Sequence, residues 1–354
     1  MRILHVDSAA GWRGGQNQVL LTALGMAARG HEVAVACRRG GDLEERARAA
    51  GLGVFPLALR GDLSPGAALG LRRVLRGFAP QAVQLHDPHA VSAGVLAGRC
   101  GARRVATRRV DFPLRGVLSR RKYAACDRVI AVSHAIAGVL QSGGVPSHQV
   151  SIVYEGVPDR PPQPGGRQAL RELGVPAGAP VVGNVAALTD HKDHVTLLEA
   201  AAIVDRSVPD ARFVVVGEGE LRPRLEAQAR RLGLLERVVF AGFRRDLDRL
   251  LPAFDVFCLS SHMEGLGTSL LDAMCFGRAV VATAAGGIPE AVEDGVTGQL
   301  VPARDPRGLA EALIAILTDP GRRESMARAG RARFVAHFTA ERMVDETLRV
   351  LSAA

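Results

Sequence analysis

The sequence predicts an α/β protein of two units, each a parallel β-sheet covered by helices. Its 354 residues are about twice the ~150 that one domain commonly holds. Short apolar runs alternate with longer helical stretches along the chain, which is typical of repeated βαβ units. One Pro- and Gly-rich break at residues 156–166 (GVPDRPPQPGG) divides this alternation in two. We therefore expect a cleft between the carboxyl ends of the two sheets, where ligands usually bind.

The predicted strands of the first half are mostly uniformly apolar, as strands buried on both faces are. They cover residues 2–6, 32–37, 54–57, 82–86, 104–107, 128–132 and 150–154. Helices are predicted between them, for example over residues 16–29 and 65–78. After the break, strands are predicted over residues 181–185, 212–216, 238–241, 256–259, 279–282 and 299–301. Helices over residues 306–318, 322–337 and 340–351 close the chain.

These elements predict an N-terminal domain over residues 1–160 and a C-terminal domain over residues 177–338. The Pro- and Gly-rich residues 161–176 are interpreted as the linker. A C-terminal helix within residues 339–354 is expected to pack back on the N-terminal domain.

Several classes of protein are excluded by composition. The chain is 47% hydrophobic, too much for disorder, yet no apolar run of about 18 residues predicts a membrane span. The start, MRILHVDSAAGWRGG, lacks the apolar region of a signal peptide. Five scattered cysteines form no Cys-x-x-Cys pair, which argues against disulfides and against a cysteine zinc site. A reduced, cytoplasmic protein fits best.

The charge of the chain is uneven. Residues 1–160 hold 22 Arg or Lys against 11 Asp or Glu, whereas the rest hold 23 against 25. Ten basic residues lie in the segment Arg99–Arg128. This asymmetry indicates either an anionic partner, such as an acidic membrane surface, or a solvated Arg-rich face. Aromatic residues make up only 4%, and no recognition motif accompanies the arginines, so no nucleic-acid partner is expected.

The richest segment for chemistry is residues 259–282, LSSHMEGLGTSLLDAMCFGRAVVA. A buried strand ends at a polar turn that carries Glu264, and a helix begins near Thr268. Such a turn presents free backbone N–H groups at a helix N-terminus, which favour phosphate. Glu264 and Asp272 are then placed to accept hydrogen bonds from a polyol; alternatively, they are a helix N-terminal acid and a solvated Asp.

Weaker signals lie at other predicted strand ends. Gly14 and Gly15 precede the first helix and allow a phosphate to approach the backbone, although such pairs also serve as plain turns. Gly217 follows a buried strand, and Phe243 either borders a base or packs in the core. His86 ends a strand and either faces the cleft or is satisfied by its neighbours.

The order acid-Gly-x-Gly-x-x-x-x-acid-Ala-Met from Glu264, followed by Gly-Gly-Ile-Pro-Glu (286–290) and Asp-Gly-x-Thr-Gly (294–298), resembles glycosyltransferase family 4. Matches to the family's pattern extend over nearly the whole chain. The resemblance implies the GT-B fold: two Rossmann-like domains that face each other across a cleft. It also implies a retaining, nucleotide-sugar-dependent transferase.

The resemblance assigns roles by position. Glu264 matches the family acid that contacts hydroxyls of the donor sugar, and Asp272 the acid that holds the nucleotide ribose. Lys192 matches the lysine that neutralises the leaving diphosphate, a sound role for a preorganised cation. His86 matches a histidine near the acceptor or the transferred sugar. Backbone N–H groups for the sugar and diphosphate would come from Gly265, Leu266, Gly267 and Thr268.

Three positions depart from the family pattern. Ala187 stands where an arginine is usual, so that Lys192 lacks its partner unless another arginine, such as Arg244, substitutes. Asp272 is one methylene shorter than the usual Glu, and Glu155 replaces a frequent Asn.

The expected function is transfer of a sugar, with retention, from a nucleotide-sugar donor to a hydroxyl of a lipid-linked or cell-envelope glycan, such as lipopolysaccharide. Two alternatives are a sugar-nucleotide 2-epimerase of the same fold and a non-catalytic sugar-nucleotide binder. No cofactor and no metal are expected, because His191 and His194 have no identifiable distant third ligand. The basic N-terminal half is expected to attach peripherally to the inner face of the membrane.

Overall fold

The computed structural model describes residues 1–59, 65–114 and 116–353. The chain folds into two compact units. The N-terminal unit contains Met1–Pro158 and the residues from Thr339 onward, and the C-terminal unit contains Asp159–Phe338. Elements are numbered along the chain.

The N-terminal unit has a seven-stranded, wholly parallel sheet in the order β3-β2-β1-β4-β5-β6-β7. Its strands are β1 Arg2–Asp7, β2 Glu32–Arg38, β3 Gly53–Leu57, β4 Ala82–Leu85, β5 Arg103–Arg108, β6 Arg128–Ala131 and β7 Val150–Ile152. Its helices are α1 Gly14–Ala28, α2 Asp42–Ala49, α3 Pro65–Phe78, α4 Pro88–Ala97, α5 Gly116–Ala124, α6 His134–Ser142 and α15 Ala340–Ser352. The central strands are buried on both faces, which explains their uniformly apolar sequences.

The C-terminal unit repeats this design with six parallel strands in the order β10-β9-β8-β11-β12-β13. Its strands are β8 Val181–Val185, β9 Arg212–Val216, β10 Val238–Gly242, β11 Val256–Leu259, β12 Ala279–Thr283 and β13 Gln299–Val301. Its helices are α7 Gly166–Glu172, α8 His194–Ser207, α9 Arg222–Arg231, α10 Leu247–Leu250, α11 Thr268–Cys275, α12 Ile288–Ala291, α13 Pro306–Thr318 and α14 Pro320–His337. Both sheets share the doubly wound strand order. In each, successive strands are first added on one side of the unit's first strand and then on its other side, so the order of addition reverses there.

Helix starts follow local sequence signals. Asp305 and Asp319 each precede a proline at the first position of a helix and accept a backbone N–H with their side chains. Thr339 caps α15 in the same way. Each such cap contributes about 1 kcal/mol to helix stability.

Helix α15 belongs to the core of the N-terminal unit. Met343, Val344 and Leu351 are buried in the same cluster as α1. A Cβ at Gly25 of α1 would lie 2.5 Å from Cγ2 of Val344, so the glycine lets the two helices approach closely. The chain therefore enters the N-terminal unit a second time to complete it.

The structure differs from the sequence prediction in the linker. Residues 161–176, interpreted from the sequence as the linker, contain α7, which belongs to the C-terminal unit. Good helix formers follow the break, and Ala169 and Leu170 of α7 are buried. A Cβ at Gly166 would lie 2.3 Å from the carbonyl oxygen of Arg249, which seats the start of the helix against α10.

No helix in the described part of the chain combines the length and the apolar character that crossing a bilayer requires.

Candidate active site

The centre of the C-terminal sheet brings two predicted site residues together. Strands β8 and β11 are neighbours at the point where the strand order reverses. Lys192 follows β8, and Glu264 follows β11. Because parallel strands end at the same edge, both loops lie at the carboxyl edge of the sheet, where ligands bind in this class of fold.

Lys192 and Glu264 form an ion pair through Nζ and Oε2. Their side chains are 18% and 13% exposed, so the pair is mostly withdrawn from water. Ser261 Oγ donates a second hydrogen bond to the same carboxylate oxygen at 3.2 Å. The cation and anion that the sequence places 72 residues apart therefore form one charge-neutral group.

Hydrogen bonds from the loop after β11 fix the backbone of His191 and Lys192. The backbone N–H of His262 donates to His191 O at 3.0 Å, which ties the two loops together. Ser260 Oγ donates to Lys192 O at 3.0 Å. Asp193 has a left-handed backbone, with φ +47°, and its carboxylate caps α8 by accepting from Thr196 N. This capping contact offsets the strain of a non-glycine residue in that region.

The Gly-Gly-Ile-Pro-Glu motif supports the backbone of Glu264. Gly287 N donates to Glu264 O at 3.1 Å. Gly286 has φ +53°, and a Cβ there would lie 1.8 Å from the same carbonyl oxygen. Only glycine allows this approach, so the motif fixes the loop that carries the acid.

Helix α11 begins next to Glu264 with an open N-terminus. Gly267 precedes the helix in a left-handed conformation, φ +94°, and no side chain caps it. The first N–H groups of such a helix lack intrahelical partners and carry a partial positive charge. The predicted donors Gly265, Leu266 and Thr268 belong to this turn, and the Leu266 side chain is buried in the core.

Asp272 contacts a residue that the sequence analysis did not select. Arg160 Nη2 donates to Asp272 Oδ1 at 2.8 Å, and Arg160 Nε donates to Asp248 Oδ1 at 2.7 Å. Burial raises the pKa of Asp272, and the Arg160 guanidinium opposes that rise. The reading of Asp272 as a solvated side chain is therefore wrong. The sequence signal that could have identified Arg160 is that it is the single arginine of the proline-rich residues 156–166.

Gly217 supports the neighbouring loop of the same unit. A Cβ there would lie 1.9 Å from Ala186 O, and φ is +148°. The glycine allows the end of β9 to pack against the segment that carries Ala187. Phe243 is 56% exposed, so the alternative of a core position is excluded. Arg244 pairs with Asp246 through two hydrogen bonds, of 2.8 and 2.7 Å.

The two histidines near Lys192 serve different partners. His194 is buried and hydrogen-bonds Asn184 Oδ1 at 3.0 Å, and burial lowers its pKa to about 4. His191 Nδ1 lies 3.3 Å from Thr189 Oγ1.

In the N-terminal unit, His86 follows β4 and is buried within a chain of polar contacts. His86 Nε2 lies 2.8 Å from His5 Nδ1, and His86 Nδ1 lies 3.2 Å from Nη1 of Arg109. Arg109 Nε in turn donates to Glu155 Oε1 at 2.8 Å. A guanidinium only donates, so His86 accepts at Nδ1 and donates from Nε2 to His5. Both ring nitrogens of His86 are thereby engaged.

Burial and the Arg109 charge keep both histidines neutral. They lower the pKa of His5 to about 3 and the pKa of His86 well below its usual value. The His5 ring stacks on His86 with 5.1 Å between centroids. Sequence reasoning found His86, noted Glu155 only as a departure from the family pattern, and missed His5 and Arg109, because only the strand order brings these side chains together.

Arg109 also lies beside the start of α1. Gly14 and Gly15 form the first turn of α1 and do not precede it as predicted, because the helix begins two residues earlier. A Cβ at Gly15 would be 4.0 Å from Arg109 Cδ, so the arginine side chain lies against this turn. Asp7 ends β1 at the same edge and receives hydrogen bonds from Gln16 Nε2 to both carboxylate oxygens, each 3.2 Å. Burial and then Asp87 raise the pKa of Asp7 to about 6.

Two family models match consecutive parts of the chain. Glycosyltransferase Family 4 matches residues 12–160, and Glycosyl transferases group 1 matches residues 167–333. The GDP-mannose-dependent alpha-(1-6)-phosphatidylinositol monomannoside mannosyltransferase of Mycolicibacterium smegmatis is 33% identical over 258 residues, 67% of each chain. The chain belongs to glycosyltransferase family 4, and its two Rossmann-like domains are those of the GT-B fold.

Other relatives match a smaller share of their length. The lipopolysaccharide core biosynthesis glycosyltransferase LpsE of Rhizobium meliloti (strain 1021) is 35% identical over 182 residues, 51% of this chain and 52% of LpsE. The chain thus spans about half the length of the first curated relatives it matches.

Among solved structures, HepE from Anabaena in complex with UDP-glucose has a TM-score of 0.89 at 23% identity, with 100% of both chains covered. At this identity, the likeness establishes the fold.

Proposed function

We propose that this chain is a retaining glycosyltransferase that moves a sugar from a nucleotide-sugar donor to an acceptor hydroxyl. The observation that carries the proposal is the Lys192–Glu264 pair beside the open N-terminus of α11. An ammonium and aligned N–H groups suit a diphosphate, and a carboxylate suits sugar hydroxyls.

The proposed donor site lies within the C-terminal unit. Lys192 and the first N–H groups of α11 hold the diphosphate, Glu264 accepts from donor-sugar hydroxyls, and Asp272 accepts from the ribose. The relatives support a nucleotide sugar as the class of donor. HepE was solved with UDP-glucose, and the M. smegmatis enzyme is named as GDP-mannose-dependent.

The proposed chemistry occurs on one face of the sugar. The bond between the anomeric carbon and the diphosphate oxygen breaks, and the acceptor oxygen attacks from the same side. The acceptor proton passes to the departing diphosphate. Lys192 and the α11 N–H groups stabilise the charge that develops on the leaving group, an effect worth roughly 10²–10³ in rate for one preorganised donor. We expect no metal requirement, because these groups supply positive charge.

His86 is proposed to act by position rather than as a proton acceptor. Its Nδ1 lone pair already accepts from Arg109, and its Nε2 hydrogen is directed at His5. We expect His86 and Glu155 to hold the Arg109 guanidinium at the first turn of α1, on the acceptor side of the reaction.

The proposed acceptor is a lipid-linked or cell-envelope glycan reached at an anionic membrane surface. Helix α5 and the loop before it expose apolar side chains next to basic ones. Phe112, Val117 and Leu118 are 49%, 61% and 72% exposed, and Arg120 and Arg121 are exposed beside them. This mixture suits the boundary between acidic headgroups and acyl chains. LpsE, by its name, acts in lipopolysaccharide core biosynthesis.

Vesicle flotation tests the membrane proposal. The protein should float with vesicles that contain an acidic phospholipid at low salt, less so at high salt, and little with neutral vesicles. Leu118→Glu should reduce flotation, whereas Leu235→Glu, at a 59% exposed leucine of the C-terminal unit, should not. Equal, negligible binding to both vesicle types would contradict the proposal.

A thermal-shift panel of nucleoside diphosphates and their sugars tests the activity. One donor should stabilise the protein selectively, and NMR of the product should show the donor's anomeric configuration retained. A 2-epimer formed without acceptor would instead identify an epimerase, and donor binding with neither hydrolysis nor transfer would identify a binding protein.

A further inference from the structure

Arg160 lies beside the acid that the proposed function assigns to the ribose of the donor. Its Nη2 atom donates to Asp272 Oδ1 at 2.8 Å. The other oxygen of that carboxylate, Oδ2, accepts no hydrogen bond from the residues that the structure describes. The Asp272 side chain is 18% exposed, so it has access to a ligand without being freely solvated. One oxygen is thus anchored and the other is available.

We propose that Arg160 is a positioning residue that orients the Asp272 carboxylate so that Oδ2 accepts from the ribose diol of a nucleoside diphosphate. This inference rests on the proposed function of the C-terminal unit. It adds a residue to which neither the family pattern nor the sequence analysis gave a role.

The guanidinium of Arg160 is itself held in place. Asp248 Oδ1 accepts from Nε at 2.7 Å, so a second carboxylate holds the guanidinium beside Asp272. The Phe276 ring centroid lies 5.1 Å from the guanidinium carbon, a cation–π distance. Pro161 follows directly and restricts the backbone, and Asp159, directly before it, is paired with Arg331 at 2.8 Å. A side chain fixed on several sides can fix the carboxylate it contacts.

The charge of Arg160 matters as much as its geometry. Burial raises the pKa of Asp272, Arg160 lowers it, and Asp248 raises it again. Arg331, on α14, points to Asp159 and Cys275 and leaves Arg160 as the cation bound to Asp272. Without Arg160, the acid would take up a proton more readily and would lose acceptor capacity toward a diol. An Asp is also one methylene shorter than a Glu, so its reach depends more on orientation.

The experiment compares nucleotides with and without the diol. Dissociation constants for UDP, GDP and ADP and for their 2′,3′-dideoxy forms are measured by calorimetry on the full chain. The wild type should prefer the ribose form of its favoured base by about 10-fold or more, as hydrogen bonds to a charged group give. Arg160→Gln should reduce this preference to within about 3-fold and leave dideoxy binding unchanged, and Arg160→Lys should restore part of it.

Two further readouts separate positioning from a structural effect. Arg328→Gln removes a 74% exposed guanidinium of α14 that pairs with Glu324 and not with the segment of Arg160, so its preference should match the wild type. In Arg160→Gln, the preference should increase as the pH is raised, because deprotonation restores the Asp272 carboxylate, and the wild type should depend less on pH.

Other results would overturn the inference. An unchanged preference in Arg160→Gln, or equal loss for both nucleotide forms, would show that Arg160 does not act through Asp272. A wild type that binds none of the diphosphates would reject the proposed function itself. Binding of the diphosphates without any preference for ribose would reject only the role of Asp272.

Discussion

Lys192 and Glu264 follow adjacent strands of the C-terminal sheet and neutralise each other at its carboxyl edge. In the donor site that we propose, a diphosphate at Lys192 competes with the Glu264 carboxylate for the ammonium. We expect an intact donor to compensate by offering sugar hydroxyls to Glu264, which a free nucleoside diphosphate lacks. The proposed site would then favour donor over product.

Glu264→Gln removes the competing anion at nearly constant size. We expect nucleoside diphosphates to bind about 3- to 10-fold more tightly, as loss of a partly exposed ion pair worth about 1 kcal/mol implies. Transfer should fall by about 10²-fold or more, because the acid no longer holds the donor sugar. Calorimetry with UDP and GDP measures the first effect. Glu218→Gln, at an acid with a 51% exposed side chain, is the control, and weaker diphosphate binding in Glu264→Gln would contradict this account.

Lys192→Ala removes the ammonium and leaves Glu264 without its cation. Nucleoside diphosphate affinity should fall by at least about 10-fold, since a charge-assisted hydrogen bond contributes about 1.5–3 kcal/mol. Thermal shifts with UDP and GDP report the loss. Arg206→Ala deletes one exposed cation from α8, the helix that follows Lys192, and should leave the shifts as they are. Equal thermal shifts in the two variants would contradict a role for Lys192 in diphosphate binding.

Gly286→Ala should damage both stability and transfer. The left-handed conformation alone costs about 1–2 kcal/mol for alanine, and the clash with Glu264 O adds to it, for a total of about 3 kcal/mol or more. Gly295→Ala provides the matched control. Gly295 has φ +74° and no atom within 4 Å of the added Cβ, so only the strain applies. Urea midpoints of the two variants should differ clearly; similar midpoints would mean that the loop moves freely.

Asp7 makes stability depend on pH. Its pKa is raised from 3.8 to about 6 in the folded state, so the folded chain retains a proton that the unfolded chain has lost. This contribution is fully present below pH 3.8 and is lost as the pH rises through about 6. Asp7→Asn should therefore be about 2–3 kcal/mol more stable than the wild type at pH 7.5, with little difference near pH 4. Urea unfolding at both values measures this, and a gain confined to pH 4 would reverse the assigned sign.

The sequence alone predicted the sheets because buried parallel strands have uniformly apolar sequences. Every predicted strand is present, with ends displaced by at most two residues. The family resemblance predicted that Lys192 and Glu264 serve one site, and the structure brings the two side chains into an ion pair. The family resemblance supplied the roles, and the family models match the same regions.

The contacts of Arg160 and of His86 were beyond prediction for a physical reason. Arg160 meets Asp272 across 112 residues, and His86 meets His5 across 81. Such pairs depend on strand order and side-chain direction, which a linear pattern does not encode. Helix α7 was missed because the prolines and glycines before it dominated the local pattern.

The second passage of the chain into the N-terminal unit has a consequence for biosynthesis. Helix α15 supplies buried side chains to a core whose other members are made more than 180 residues earlier. During synthesis, the contiguous C-terminal unit is therefore complete in sequence before the N-terminal unit has received helix α15. A chain truncated after residue 338 should show a protease-resistant C-terminal unit and a protease-sensitive N-terminal one.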